Sequence, residues 1–414
     1  MAINNFNERP LDLRGTIADE LVAHTPGFSP DNVRLLRQHG IFQQDNRDQR
    51  KASGDSRRYE FMVRIRTAGG KLIADQLLGL LDLAEQLGDG QLHITSRQGI
   101  QLTGIEKKVL RPVLRSIADL QLTTLATAGD VICNVMCCPA PHGSDGVHDD
   151  LQATADELTA LLMPAHRDYD GIWLGDRPTG YLRSARKDDE DNVIGSIGGQ
   201  TSNPSKFKIG LAAANDNCTD VFAQDLGLLA VTDNLRVVGY NVLVGGNMRN
   251  YVNVAGRSAT LALPLAYVAR EDLLSLVRSI VAVYREHRER HDRNRVRMRY
   301  LIQDWGLERF KRTVEDRLGR SLEPPRSVEV SGREDHLGWH PQNDRTCFLG
   351  LHVDNGCIGD RKPRKLKSAL RAIADSFSVR FRLTSQRNIL VCDIPTSGRA
   401  QVDALLVRYG VPTV

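Results

Sequence analysis

Four groups of cations in this sequence could hold or act on an anion. Arg64 and Arg66 stand two residues apart in an extended stretch, Arg97 lies beside Gln98 and near Gln101, Lys206 and Lys208 are again two apart, and basic residues crowd 285–299. Alternation along a strand places each pair on one face. A cation turned toward a protein interior is costly without an anionic partner, so either these pairs face water or an anion lies among them. In the run Arg290-His291-Asp292-Arg293-Asn294-Arg295-Val296-Arg297-Met298-Arg299 the guanidinium forks are dense enough to clamp phosphate or carboxylate groups, unless the run is a solvated helix end.

Other chemistries find less support. No Ser-His-Asp constellation, Walker loop or GxGxxG after a strand is present, which removes the commonest hydrolase, P-loop and Rossmann signatures. Gly239-Tyr240-Asn241 and Val244-Gly245-Gly246 could let backbone approach a ligand closely or mark plain turns. The seven cysteines, at 133, 137, 138, 218, 347, 357 and 392, form no CxxC pair, so a disulfide framework is not expected. Cys133, Cys137 and Cys138 look like a metal cluster, but adjacent cysteines seldom ligate one ion and no second pair completes a tetrahedral set. No metal site is expected, and His142 and His148 read as loop residues.

The elements that would position the cations occur twice. A strand over 59–66, a Gly turn, a leucine-striped helix over 74–87, strands at 92–95 and 100–102, and a second helical stripe at Leu110, Val113, Leu114 and Ile117 give the order β-α-β-β-α. The same order returns as a strand over 348–353, a turn at Asn355-Gly356, a helix over 364–377, strands over 379–383 and 388–393, and a helix over 399–409. Thr95-Ser96-Arg97-Gln98-Gly99-Ile100-Gln101 likewise returns as Thr384-Ser385-Gln386-Arg387-Asn388-Ile389-Leu390.

The fold class expected is therefore α+β: two ferredoxin-like half-repeats related by pseudo-two-fold symmetry, with an α+β domain inserted between them. The boundaries expected are an extension over 1–57, a first half-repeat over 58–125, a central domain over 126–330 and a second half-repeat over 331–414. Strand candidates in the centre are 171–174, 207–213 and 236–244, with helices over 271–288 and 306–318.

The bulk properties bound the partners. With 55 basic against 51 acidic residues, any basic site must be local, and wholesale binding to nucleic acid or membrane is not expected. A ferredoxin-like nucleic-acid module would also want exposed stacking aromatics and a basic excess, which are missing here. No apolar run approaches the roughly 20 residues of a membrane span, and no signal-length apolar segment opens the chain, so the expected location is cytoplasmic.

Taken together, these segments resemble the haemoprotein of assimilatory sulfite reductase, in the sulfite/nitrite reductase family that couples sirohaem to a 4Fe-4S cluster. The resemblance rests on Leu13-Arg14-Gly15-Thr16-Ile17, the stretch His39-Gly40-Ile41-Phe42-Gln43-Gln44-Asp45-Asn46-Arg47-Asp48, Arg64 with Arg66, and Thr95-Ser96-Arg97-Gln98. It continues through Gly129-Asp130, Asn134-Val135, Lys206-Phe207-Lys208, the 239–246 segment, Arg290 with Arg293, Tyr300 and Trp305-Gly306-Leu307. It covers essentially the whole chain, and the segment from His39 to Asp48 is similar to sulfite rather than nitrite reductases.

The resemblance implies that Arg64, Lys206 and Lys208 are the sulfite-binding cations and proton suppliers. It implies sirohaem contacts at Arg66, Thr95, Arg97, Gln98, Gln101, Asn134, Arg290 and Arg293. It further implies an oxidoreductase fed by ferredoxin or by an NADPH flavoprotein. Two departures stand out. Cys133 occupies a position where the family has an Arg, and the four cysteines that hold the cluster and bridge to sirohaem fall beyond Val414 in the family pattern. Thr103, Ser205, Asn247 and Arg288 are smaller departures. The expectation is the N-terminal part of such a haemoprotein, from a truncated, split or incompletely recorded gene, that holds sirohaem weakly and does not turn over sulfite alone, with a separate C-terminal polypeptide among its candidate partners; the alternatives are a non-catalytic tetrapyrrole-binding or scaffold relative, or a ferredoxin-nitrite reductase-like protein.

Overall fold

The computed structural model of this chain describes residues 14–45, 59–128, 131–142, 146–164, 167–175, 206–248, 259–289, 292 and 295–413. Its first half contains strands β1 (Ile41–Asp45), β2 (Tyr59–Ile65), β3 (Lys71–Ile73), β4 (Leu92–Ile94) and β5 (Ile100–Ile105). Two helices cover them. Ala74–Leu87 buries Leu77, Leu80, Leu81 and Ala84, and the Gln76 side chain closes its first turn by accepting the Ile73 N–H at 3.1 Å. Leu110–Asp119 buries Leu110, Val113, Leu114 and Ile117, the one-faced stripe its spacing dictates.

The central region contributes β6 (Ile209–Ala212), β7 (Leu226–Asp233), β8 (Arg236–Val244) and β9 (Leu263–Ala269), ordered β6-β7-β8-β9 with only β6 and β7 parallel. β8 is buried on both faces along most of its length, which explains its nearly continuous apolar run. Helices Val147–Leu162, Leu273–His287, Met298–Trp305 and Leu307–Leu318 share its core. The expected strand at 171–174 is instead the end of helix Arg167–Trp173. Ile172, Trp173 and Leu174 are an apolar run too short to reveal a period, and burial of all three satisfies a helix end as well as a strand.

The second half supplies β10 (Gly338–Pro341), β11 (Thr346–Leu351), β12 (Cys357–Ile358), β13 (Arg380–Leu383) and β14 (Ile389–Pro395), with helices Leu366–Ser376 and Arg399–Arg408. One five-stranded sheet runs β1-β2-β5-β4-β12 and the other β10-β11-β14-β13-β3. The two orders correspond strand for strand, and each half lends its third strand to the edge of the other's sheet. Leu72 pairs with Phe381 and Ile358 with Leu92, and both Leu72 and Ile358 are fully buried.

The turns that launch the exchanged strands are built alike. Gly69 and Gly70 have φ of 57° and 76°, and Asn355 and Gly356 have φ of 54° and 74°. A Cβ on Gly70 would meet the Leu383 carbonyl oxygen at 2.3 Å, and one on Gly356 would meet that of Ile94 at 2.6 Å. Only glycine tolerates both the left-handed backbone and the approach. The second sheet also serves two cores by the alternation of its strands: Leu349 and Val391 face the core shared with the first half, while Phe348, Leu390 and Cys392 face that of the central region.

Candidate functional site

The two related hairpins are closed by the same bonds. Thr95 Oγ1 accepts the N–H of Arg97 at 3.2 Å and of Gly99 at 3.0 Å, and Thr384 Oγ1 accepts the N–H of Asn388 at 3.0 Å. Gln98 and Arg387 occupy the left-handed region, at φ 55° and 68°. Thr95 thus shapes the tip, and the turn turns Arg97 toward the central region. Its guanidinium donates to the Asn134 carbonyl at 2.6 Å, the Ile209 carbonyl at 2.9 Å and Gln224 Oε1 at 3.0 Å.

Around this anchor the structure gathers charge. Lys208 immediately precedes β6, and Arg297 makes a two-pronged pair with Asp225, at 3.1 Å and 2.6 Å. Asp225 also accepts the backbone N–H of Lys208 at 2.9 Å. Arg64 on β2 lies over the Phe42 ring at 5.0 Å and reaches Gln101 Oε1 at 3.4 Å. Cys133, nearly fully buried, interacts electrostatically with all four cations, Arg64, Arg97, Lys208 and Arg297.

Among the described residues four cations therefore face one carboxylate, and the imbalance shows in their titration. Burial pulls the Arg64 and Arg97 guanidiniums below their usual range. Burial also lowers the Lys208 ammonium, and the neighbouring charges of Arg297 and Arg97 lower it further. Burial opposes the charge of Arg297 as well, but Asp225 outweighs it and the net shift is upward. Arg64 Nε, Arg97 Nε and the Asn134 side-chain oxygen are buried without a hydrogen-bond partner among the described residues. Buried cations arranged in this way favour an anion among them.

The remaining expected residues divide. Gln98 is fully buried and donates to the Cys137 carbonyl at 2.8 Å and the Leu383 carbonyl at 3.0 Å, which ties the two halves together. Arg66 is buried and donates to the carbonyls of Ala126 at 2.7 Å and Ile132 at 2.6 Å. Gln101 donates to Met62 Sδ at 2.9 Å while receiving Arg64. Asn134 holds the carbonyls of Thr67 at 2.7 Å and Arg97 at 2.8 Å. Lys206 is exposed to solvent, and Arg290 and Arg293 lie outside the described residues.

Arg297, Asp225 and Gln224 are site residues that sequence reasoning did not single out. Arg297 was one of many in a basic run, and a lone Gln-Asp pair carries no signal of its own.

The cysteines do not form a four-thiolate set. Cys347 donates to the Ile394 carbonyl at 3.4 Å and Cys357 to Gln91 at 2.7 Å, both away from the cations. Burial pushes the Cys137 and Cys392 thiols up to about 12, the wrong direction for thiolate ligands. These residues do not fit a 4Fe-4S cluster.

With this geometry in hand, comparison with known proteins is informative. Residues 128–322 match the family model described as the nitrite and sulphite reductase 4Fe-4S domain, and residues 55–120 and 340–409 match the nitrite/sulfite reductase ferredoxin-like half domain. The sulfite reductase [ferredoxin] of Synechococcus elongatus is 36% identical over 422 residues, spanning 100% of this chain and 68% of that protein. The sulfite reductase [NADPH] hemoprotein beta-component of a Shewanella species is 33% identical, spanning 99% of this chain and 72% of that protein. The structure of the Mycobacterium tuberculosis NirA protein superposes with a TM-score of 0.72 at 22% identity, over 97% of this chain and 68% of that one, a likeness of fold. No described helix is long and apolar enough to cross a membrane.

Proposed function

This chain belongs to the nitrite and sulfite reductase family, and from that premise we propose that it binds sirohaem and a small oxyanion, sulfite before nitrite, at the cations around Cys133. The observation that carries the reading is the excess of charge among the described residues: Arg64, Arg97, Lys208 and Arg297 against Asp225. Sirohaem is rich in carboxylates, and buried guanidinium nitrogens without partners are the complement such a group needs. When bound, it supplies the iron at which electrons enter the oxyanion.

Each residue then has a part. Lys208 Nζ and the free edge of Arg64 offer their charge to both anions, the sirohaem carboxylates and the oxyanion, and offset the charge that develops as sulfur–oxygen bonds break. Because burial and neighbouring cations lower the Lys208 pKa, its ammonium gives up a proton to a departing oxygen more readily than an exposed lysine would. Arg97 has its terminal nitrogens spent on the protein, so it positions the hairpin and contributes charge. Asn134 fixes the segment carrying Cys133.

Six-electron turnover draws on cluster thiolates that the seven cysteines here do not provide. The reading is therefore of the sirohaem- and substrate-binding part of the reaction alone, with ferredoxin or an NADPH flavoprotein as the class of electron donor. The test is optical. The chain is purified from cells that make sirohaem, and sulfite and nitrite are titrated into it separately. A sirohaem spectrum perturbed by sulfite at lower concentration than by nitrite supports the reading; a colourless protein, or a spectrum indifferent to both anions, rejects it.

A further inference from the structure

Away from the cations, four side chains drawn from distant parts of the chain meet in the interior. Cys138, Cys218, Asp216 and His336 are each at least nine-tenths buried, and their ligand-type atoms all lie within 4.8 Å of one another. Cys138 Sγ is 3.0 Å from Asp216 Oδ2 and 3.5 Å from His336 Nε2, and those two atoms are 3.1 Å apart. None of the four ligand atoms bonds a residue of the cationic group.

The surroundings hold these groups in place. Asp216 Oδ1 accepts the N–H of Cys218 at 3.0 Å and of Glu334 at 3.1 Å, which leaves Oδ2 directed at the other three. The Cys218 carbonyl accepts Ser385 Oγ at 2.5 Å, so the tip of the second hairpin seats that loop as Arg97 of the first seats Asn134. His336 is a buried residue with φ of 58°, a left-handed conformation that strains a non-glycine side chain. A Cβ on Gly350 would lie 1.7 Å from the His336 carbonyl oxygen, so the strand over it must carry glycine there.

We propose that Cys138, Cys218, Asp216 and His336 form a closed mononuclear site for a divalent cation of the zinc class. Two sulfurs, one imidazole nitrogen and one carboxylate oxygen are the donors that Zn²⁺ takes, four in number and tetrahedral when the site is structural. With metal–donor distances of about 2.0–2.3 Å, tetrahedral donors lie roughly 3.3–3.8 Å from each other, close to the separations seen here. The two-thiol set is too small to hold an iron–sulfur cube. The ion displaces the protons that the four groups share and pins loop 214–218 and segment 331–336 to the strand-like segment carrying Cys138. It is a tie within the fold, separate from the proposed chemistry at the cations.

Cobalt(II) is the probe. The full chain, reduced and stripped of metal under anaerobic conditions, is titrated with cobalt(II) and then with zinc(II). One equivalent of cobalt gives the thiolate charge-transfer band and strong visible bands of a tetrahedral site, and zinc abolishes them and raises the melting temperature. Cys138→Ser and Cys218→Ser weaken binding by more than the roughly 10–100-fold typical of outer-shell changes, and Cys133→Ser leaves it intact. Should the serine variants fail to fold, zinc protection of Cys138 and Cys218 in the unaltered chain against alkylation, mapped by mass spectrometry, decides the matter. The proposal is overturned by absence of the thiolate band at one equivalent, by its survival in both serine variants, by equal alkylation with and without zinc, or by a Cys138–Cys218 disulfide that excludes metal.

Discussion

Arg97 and Asn134 hold each other in both directions: the guanidinium donates to the Asn134 carbonyl at 2.6 Å, and the Asn134 amide donates back to the Arg97 carbonyl at 2.8 Å. The tip of the first hairpin and the segment bearing Cys133 are therefore one unit. Asn134→Leu keeps the volume and removes the donor, leaving the Thr67 and Arg97 carbonyls unsatisfied. The expected loss is about 1–3 kcal/mol per stranded group, read as a lowered denaturant midpoint. An unchanged midpoint would mean the clasp contributes nothing.

Lys208 tests whether the cations repel one another in the ligand-free protein. Its folded-state pKa is lowered, so its charged form is penalised by folding; that penalty is present below the folded pKa and disappears as pH rises through the unfolded value. Lys208→Met removes it at neutral pH. The ligand-free protein is expected to gain up to about 1 kcal/mol in chemical denaturation while binding sulfite less tightly. A destabilised variant would show that the ammonium has a partner and the charge is balanced.

The exchange of strands predicts matched sensitivity at two glycines far apart in sequence. Gly70→Ala and Gly356→Ala each force a Cβ against a carbonyl oxygen in a left-handed turn. Each is expected to cost about 1–3 kcal/mol or more. Thermal denaturation of the two single variants checks this, and tolerance of either one contradicts the equivalence of the turns.

A carboxylate in the second half sets an acid limb. Burial raises the Asp393 pKa, but hydrogen bonds from Arg380, at 2.5 Å and 2.8 Å, and from Gln342, at 2.7 Å, outweigh it and the net shift is downward. The stabilisation is therefore full above the unfolded value of about 3.9 and is lost as pH falls through the lower folded value. Urea midpoints taken from pH 7 to pH 3 should fall less steeply for Asp393→Asn than for the unaltered chain. Parallel curves would show that Asp393 carries no such linkage.

How much of this was legible beforehand follows from range. The hairpin at Thr95 and its relative at Thr384 are local signals, and the leucine stripes of their helices repeat at helical spacing, so the two halves could be read directly. The exchange of β3 and β12 could not, because strands of three and two residues have no measurable period. Alternation drew attention to Lys206 with Lys208, yet burial distinguishes them: one is exposed and the other stands among the cations. Cys138 was visible only beside Cys137, whereas its contacts at Asp216 and His336 lie 78 and 198 residues away. Spacing rules for metal ligands do not reach such separations.

The central claim is that an anionic tetrapyrrole completes the charge around Cys133. Its most direct measurement is the dissociation constant of sirohaem from the full chain, compared with the double variant Arg64→Gln/Lys208→Met and with Cys357→Ser, whose thiol bonds Gln91 away from the cations, as a control outside the site. The account predicts one-to-one binding, weakened at least about tenfold in the double variant, the equivalent of about 1.4 kcal/mol, and unchanged in the control. Sirohaem bound equally by the double variant and the unaltered chain, or by neither, would contradict it.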